Sequence, residues 1–263
     1  MRIVLWVDAG PEAGFGHLAR ALALADALGA AGAQCRFVVP PDVTARAWLR
    51  AAGHHDPILL GDPSRPWPEV LVAAENADVV VVDRRRPLGA DEVRALGTTA
   101  RVVLIDDDGP GAALADLVVT PCGAGEPPRR LAGPQYVPLR APALRPPRAA
   151  ATTPVVLVSM GGSDPGGLTA PVVEALAAVR PRVDVRVVAN PASRVWLQLG
   201  PLCTRHGFAA PWAVEPGGLG RHLAVADLAV LAFGVTVYEA LASGVPAVAL
   251  CRSAGDVRHA ALL

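Results

Sequence analysis

Ile3-Val4-Leu5-Trp6-Val7-Asp8-Ala9-Gly10-Pro11-Glu12-Ala13-Gly14-Phe15-Gly16-His17-Leu18-Ala19-Arg20 is the stretch whose reading decides the fold. Five apolar residues in an unbroken run read as a strand covered on both faces, and Asp8 ends it. A loop carrying Gly10, Gly14 and Gly16 then turns the chain into a helix beginning near His17. Leu18, Leu22, Ala25 and Leu28 line one face of that helix, with Arg20 and Asp26 off it. In an open α/β sheet this turn lies at the carboxyl edge of a strand, where ligands bind. Loop amides and the helix dipole make the spot positive. That setting favours a neutral imidazole at His17, which accepts a proton. The combination points to chemistry on a phosphorylated ligand. The spacing matches neither the dinucleotide fingerprint nor the phosphate loop that requires lysine, and a plain flexible turn is the alternative.

Outward from this turn the pattern repeats. Strands are expected at 2–8, 34–39, 57–60, 78–83, 101–106, 116–120, 155–160, 183–189, 226–231 and 246–250. Helices are expected at 17–31, 42–53, 67–77, 89–97, 168–180, 193–205 and 236–243. The class is α/β with parallel sheets. Residues 143–154, rich in proline and without an apolar period, read as a linker between a first domain (1–142) and a second (155–263). The second domain opens as the first does, with a strand followed by Met160-Gly161-Gly162-Ser163-Asp164. Two Rossmann-like domains would then present two such turns on either side of one cleft.

The 263 residues are 52% hydrophobic, enough for two cores, and 24 basic residues balance 24 acidic ones. Neither nucleic acid nor an anionic membrane is favoured by such a charge. Every basic residue is arginine, so Schiff-base and phosphate-loop lysine mechanisms are excluded. Cys35, Cys122, Cys203 and Cys251 are scattered without metal-ligand spacing and read as reduced cytoplasmic thiols. Leu228 to Leu250 is the most membrane-like segment, but Glu239, Gly244 and Pro246 interrupt it, so a buried strand, helix and strand are expected. A cytoplasmic monomer or weak dimer acting on a small molecule is the expectation.

Several groups carry candidate chemistry beside a structural alternative. The Gly161–Asp164 turn can wrap a diphosphate, or Ser163 and Asp164 cap a helix with Pro165 in its first turn. Thr236-Val237-Tyr238-Glu239 fits a capping box, or Glu239 takes a pair of ligand hydroxyls, with Phe233, Gly234 and Val235 beside the same ligand. Asp106-Asp107-Asp108 reads as an ordinary turn rather than a metal site. Arg84, Arg85 and Arg86 form a solvated face, or one reaches a phosphate. His54, His55, His206 and His222 receive no role.

With these residues in place, the chain resembles a known family. Asp8 to Arg20, with Gly14-Phe15-Gly16-His17 inside it, is similar to the N-terminal motif of the UDP-sugar hydrolase of pseudaminic acid biosynthesis and its spore-coat polysaccharide relatives. Met160 to Asp164, Asp106-Asp107 and Gly133-Pro134-Gln135-Tyr136 through Leu139-Arg140 resemble further family motifs in order and spacing. Phe233 to Val248 resembles the nucleotide-binding helix of the peptidoglycan N-acetylglucosaminyltransferase group. The resemblance implies a GT-B fold, UDP bound by the second domain and the sugar by the first. It implies that Glu239 takes the ribose hydroxyls, while Gly161, Gly162, Ser163, Asp164 and the start of the 236 helix, with Thr236, take the phosphates. It implies His17 as general base on the water that hydrolyses a UDP-activated amino-deoxy sugar, with inversion and release of UDP. Asp8, Gly14, Gly16, Arg20, Asp83, Asp107 and Arg140 complete the substrate-binding set. Neither metal nor cofactor is implied. An inverting transferase, with a sugar or polyol hydroxyl in place of water, is the alternative, and a non-catalytic sugar-nucleotide-binding protein another. The chain departs from the family at Trp6, where arginine is usual, at Arg84 and Arg85, where histidine and tyrosine are, and at Thr120, where asparagine is.

Overall fold

Unbroken valine, leucine and isoleucine runs alternating with alanine-rich segments give, among the described residues, two parallel sheets of seven and five strands. A computed structural model describes residues 1–64, 66–121, 129–140, 153–164, 166–179, 183–215 and 218–263. The chain divides into two compact units, Met1–Pro138 and Leu139–Leu263. Arg140 therefore belongs to the second unit rather than the first, and most of the expected linker, 143–152, lies outside the described residues.

In the first unit the elements are β1 (Arg2–Val7), α1 (Gly16–Ala30), β2 (Gln34–Val39), α2 (Val43–Ala51), β3 (Ile58–Leu59), α3 (Trp67–Ala74), β4 (Val79–Asp83), α4 (Ala90–Gly97), β5 (Arg101–Ile105), β6 (Leu117–Thr120) and β7 (Arg130–Ala132). Strand order is β3-β2-β1-β4-β5-β6-β7, so the order reverses between β1 and β4. Such a switch point is where an open parallel sheet leaves a crevice at its carboxyl edge. Register places Val7 level with Asp83, which brings the β1 turn and the end of β4 together. Residues alternate between faces. Val4, Trp6, Val80 and Val82 pack in one cluster with Val70 of α3 and Val93 and Leu96 of α4. Ile3, Leu5 and Val7 are equally buried, as are Leu18 and Leu22 of α1.

The second unit runs β8 (Val155–Ser159), α5 (Thr169–Ala177), β9 (Asp184–Ala189), α6 (Trp196–His206), β10 (Trp212–Ala213), α7 (Gly220–Leu223), β11 (Leu228–Ala232), α8 (Val235–Ala242), β12 (Ala247–Leu250) and α9 (Ala254–Ala260). Its order, β10-β9-β8-β11-β12, reverses between β8 and β11. The turns after these two strands are the Gly161 and Gly234 turns.

Expected and observed elements agree in type, and the differences have local causes. The strand expected at 57–60 shortens to Ile58–Leu59 behind Pro57. The helix expected at 193–205 starts at Trp196 and runs to His206, tolerating Pro201 and ending where Gly207 takes φ 71°. Strands β7 and β10, of three and two residues, are too short for a period to show in sequence. Leu228 to Leu250 resolves into β11, α8 and β12, and no described helix is long and apolar enough to cross a membrane.

Candidate functional site

Gly16 is the first residue of α1, which sets His17 in the first helical turn at the switch point. The loop before it closes on itself: Gly10 N–H donates to Gly14 O at 3.2 Å and Gly14 N–H to Gly10 O at 2.7 Å. Gly14 takes φ 79°, a conformation that glycine adopts without steric cost. Asp8 accepts from Arg84 Nε and from the Arg85 amide, each at 3.0 Å, while Arg85 Nη1 reaches Glu12 O at 2.6 Å. Asp8, expected to meet substrate, thus ties the loop to the end of β4.

Four side chains form one network on the α1 side of that edge. His17 Nδ1 lies 2.7 Å from Asp83 Oδ1. Arg20 grips the same carboxylate with two nitrogens, Nε to Oδ2 at 3.0 Å and Nη2 to Oδ1 at 2.7 Å. The third nitrogen, Nη1, donates to Asp106 Oδ2. Asp83, which the resemblance placed in the substrate-binding set, is 1% exposed and stands behind His17. Burial pushes the Asp83 carboxyl up, but the Arg20 guanidinium, the His17 hydrogen bond and their charges outweigh it and hold it below the usual carboxylate range. Arg20, expected off the apolar face of α1, is buried. Burial opposes its charge, yet Asp83 and Asp106 together raise its pKa, so the cation is secured. The imidazole keeps 18% of its surface open. An ionised carboxylate only accepts, so Nδ1 donates to Asp83 and Nε2 is left as the basic nitrogen.

The residue after Asp83 turns to the opposite face. Arg84 Cζ stands 4.3 Å from the Trp6 ring centroid, and its side chain is only 8% exposed. Arg84 Nη1 and Trp6 Nε1 are both buried with no hydrogen-bond partner among the described residues. Asp107, expected to bind substrate, is spent on the backbone: its oxygens accept from the Leu88 and Gly109 amides, each at 2.8 Å. Arg140 is half-buried in the second unit.

At the switch point of the second sheet the site residues are arranged differently. Gly161 takes φ 80°, and a Cβ there would meet nothing within 4 Å among the described residues, so that side of its backbone is open. Gly162 and Ser163 are half-buried beside it. Asp164 faces away, accepting from Leu168 N at 2.9 Å, Thr169 N at 3.1 Å and Thr169 Oγ1 at 2.7 Å. It caps α5 from outside the helix, which begins at Thr169; the Pro165 part of the expected cap lies outside the described residues.

After β11, buried Phe233 leads into Gly234, where again a Cβ would meet nothing within 4 Å. The helix starts at Val235, so Thr236 lies inside it and no Thr236–Glu239 capping box forms. Glu239 instead turns toward the 218–219 backbone, accepting from Leu219 N at 3.2 Å. A Cβ on Gly218 would collide with that carboxylate. Burial pushes the Glu239 carboxyl up to about 7, with the Leu219 amide pulling weakly the other way. Gly218 and Leu219 were absent from the sequence reading; the one signal was a glycine pair at 217–218 after a proline. Among the histidines given no role, His54 packs on Phe37, and His206 pairs with Glu174 at 2.7 Å. His222 packs on Trp212, and burial followed by Arg221 lowers its pKa.

Structural comparison adds one finding to this geometry. MurG of Acinetobacter baumannii matches 100% of this chain and 83% of its own length at 16% identity and TM-score 0.60. SnogD, a glycosyltransferase of Streptomyces nogalater, matches 97% and 83% at 19% identity and TM-score 0.60. Anabaena HepE, in complex with UDP-glucose, matches 98% and 82% at 14% identity and TM-score 0.56. The fold is that of the GT-B glycosyltransferases. No protein-family model and no curated protein sequence matches the chain. In each Rossmann-like unit a glycine-bearing turn lies at the switch point of its sheet.

Proposed function

We propose that the chain is a nucleotide-sugar-processing enzyme of the glycosyltransferase type. The observation that carries this reading is the His17–Asp83 pair at the β1/β4 switch point, with Nδ1 engaged and Nε2 left to take a proton. Uncovered glycine backbone at Gly161 and Gly234, with the inward-turned Glu239 carboxylate, suits a nucleoside diphosphate in the second unit. Gly162, Ser163, Val235 and Thr236 would contact the diphosphate, and Phe233 and Glu239 the nucleoside. HepE, whose fold this chain shares, was crystallised with UDP-glucose, which makes UDP the first nucleotide to test.

In the reaction, His17 Nε2 removes the proton from an acceptor hydroxyl as its oxygen attacks the anomeric carbon. The bond from that carbon to the diphosphate oxygen breaks, and the electron pair leaves with UDP. The acceptor oxygen arrives opposite the leaving group, so configuration inverts. A positioned general base of this kind contributes roughly 10²- to 10⁴-fold.

Water as the acceptor makes the same machinery a hydrolase, the reading favoured by the similarity of the Gly14–His17 and Met160–Asp164 motifs to the pseudaminic acid enzyme. Release of UDP, followed with UDP-sugars alone and then with added sugar or polyol acceptors, separates the two. Release that requires an acceptor supports transfer, and release without one supports hydrolysis. UDP binding with no turnover, unaffected by His17→Ala, would leave a non-catalytic binding protein. Failure to bind any nucleoside diphosphate overturns the reading as a whole.

A further inference from the structure

We propose that Arg20 and Asp106 are positioning residues for His17, acting through Asp83 to keep the imidazole proton on Nδ1 and Nε2 free to accept. The use of Nε2 as a base rests on the function proposed above; the placement of the proton does not.

The inference starts from Asp83 Oδ1, which faces two nitrogens at 2.7 Å, His17 Nδ1 and Arg20 Nη2. An oxygen in that position serves His17 only while the carboxylate is ionised and cannot rotate. Arg20 supplies both conditions. Its Nε and Nη2 hold the two Asp83 oxygens in a fork, which fixes the carboxylate plane as a lysine could not. Arg20 itself must stay in place, since its Nη2 also lies 3.2 Å from His17 Nδ1 and a small rotation would disturb the pair. Asp106 takes the remaining nitrogen, Nη1, and thereby locks the guanidinium from its far side.

The chain geometry supports this assignment. Asp106 follows the last residue of β5 and takes φ 53°, a left-handed conformation that non-glycine residues seldom adopt. Asp107, its neighbour, is consumed by the Leu88 and Gly109 amides, so within this pair only Asp106 serves the network. The charged groups in this network, among the described residues, are Asp83 from β4, Arg20 from the helix of His17 and Asp106 behind Arg20. Arg20 and the two carboxylates sum to one negative charge, which proton uptake by His17 neutralises.

Without Arg20, a carboxylate as buried as Asp83 would gain by taking up a proton. A protonated Asp83 donates to Nδ1, and the imidazole proton then moves to Nε2, where it blocks the base. The arginine therefore decides which nitrogen is available.

Long-range proton–nitrogen correlation of ¹⁵N-histidine-labelled protein, without ligand and with the imidazole neutral, reads the tautomer directly. The wild-type chain is expected to show the Nδ1–H form. Arg20→Met shifts His17 toward the Nε2–H form, and Arg20→Lys recovers it only in part because one ammonium cannot fork. Asp106→Asn shifts it less than Arg20→Met. Turnover should fall by roughly 10²-fold in Arg20→Met, the scale of a misplaced catalytic group, while UDP affinity stays within about twofold. Should Arg20→Met fail to fold, Arg20→Lys and Asp106→Asn carry the test. A wild-type Nε2–H tautomer, or a His17 signal unmoved in folded variants, overturns the proposal. Expected tautomers together with full turnover in His17→Ala would instead leave the proton arrangement standing and remove the catalytic role of His17.

Discussion

At the ends of β1 and β4, His17, Arg20, Asp83 and Asp106 satisfy one another; at the ends of β8 and β11, uncovered glycine backbone lies near a carboxylate held by one amide. Both places are switch points of a parallel sheet, so topology alone does not separate them. The side chains do. A general base must be aimed before the substrate arrives, and burying charge beside it is tolerable only when each charge is paired. A nucleotide site has the opposite need: its donors and its acceptor must be left for the ligand. The raised pKa of Glu239 and the lowered pKa of Asp83, both largely buried carboxylates, express that difference. Asp83 has a guanidinium beside it, and Glu239 has, among the described residues, the Leu219 amide.

The sharpest way to break this contrast is to remove the base. His17→Ala should lower turnover by about 10²- to 10⁴-fold while UDP binding, measured by calorimetry, is unchanged. Collapse of UDP affinity in that variant would show that the two edges do not divide the work as described. Glu239→Ala is the converse. Losing one hydrogen bond to a charged acceptor, worth about 1.5–3 kcal/mol, should raise the UDP Kd by roughly 10- to 100-fold and leave the His17 tautomer as it was.

A third test uses pH. The Glu239 carboxyl is raised from 4.5 to about 7 in the folded chain, so between those values the folded state keeps a proton that the unfolded chain has lost. Folding stability should therefore fall as pH rises through that window and level off above about pH 7. Urea midpoints at pH 5 and pH 8 should show the loss in the wild type and a smaller one in Glu239→Gln. Ligand hydroxyls that donate to Glu239 favour its ionised form, so UDP binding near neutral pH should release protons and weaken as pH falls. Calorimetry in buffers of different ionisation enthalpy measures that release. The smallest effect is expected at Gly161→Ala. Its φ of 80° strains any residue with a Cβ by about 1–2 kcal/mol, although the space there is open, and thermal melting should register a loss of that order.

How far this was legible in sequence varies residue by residue. His17 was readable because a strand, three glycines and a helix start fall together within fifteen residues. Glu239 was readable as a carboxylate near a helix start, but its partner was not, since Leu219 lies 20 residues upstream and nothing local pairs them. Asp8 and Asp107 were placed against substrate, and Asp164 against the phosphates, by the resemblance of their motifs. Their neighbours instead hold backbone amides or arginines that the carboxylates satisfy first. Asp106 was passed over in favour of Asp107, and the alternation of their surroundings emerges only once β5 and the 87–111 region are packed.

The sequence by itself determined the parallel α/β class and the positions of the glycine turns, because uninterrupted apolar runs and glycine placement are local properties. Tertiary structure alone decided which charges meet. Arg20 reads as off the apolar face of α1 and, by resemblance, as a substrate contact, until β4 and β5 bring Asp83 and Asp106 to it across 63 and 86 residues. Side chains so far apart in the chain are related by strand order and register, and no local pattern encodes either.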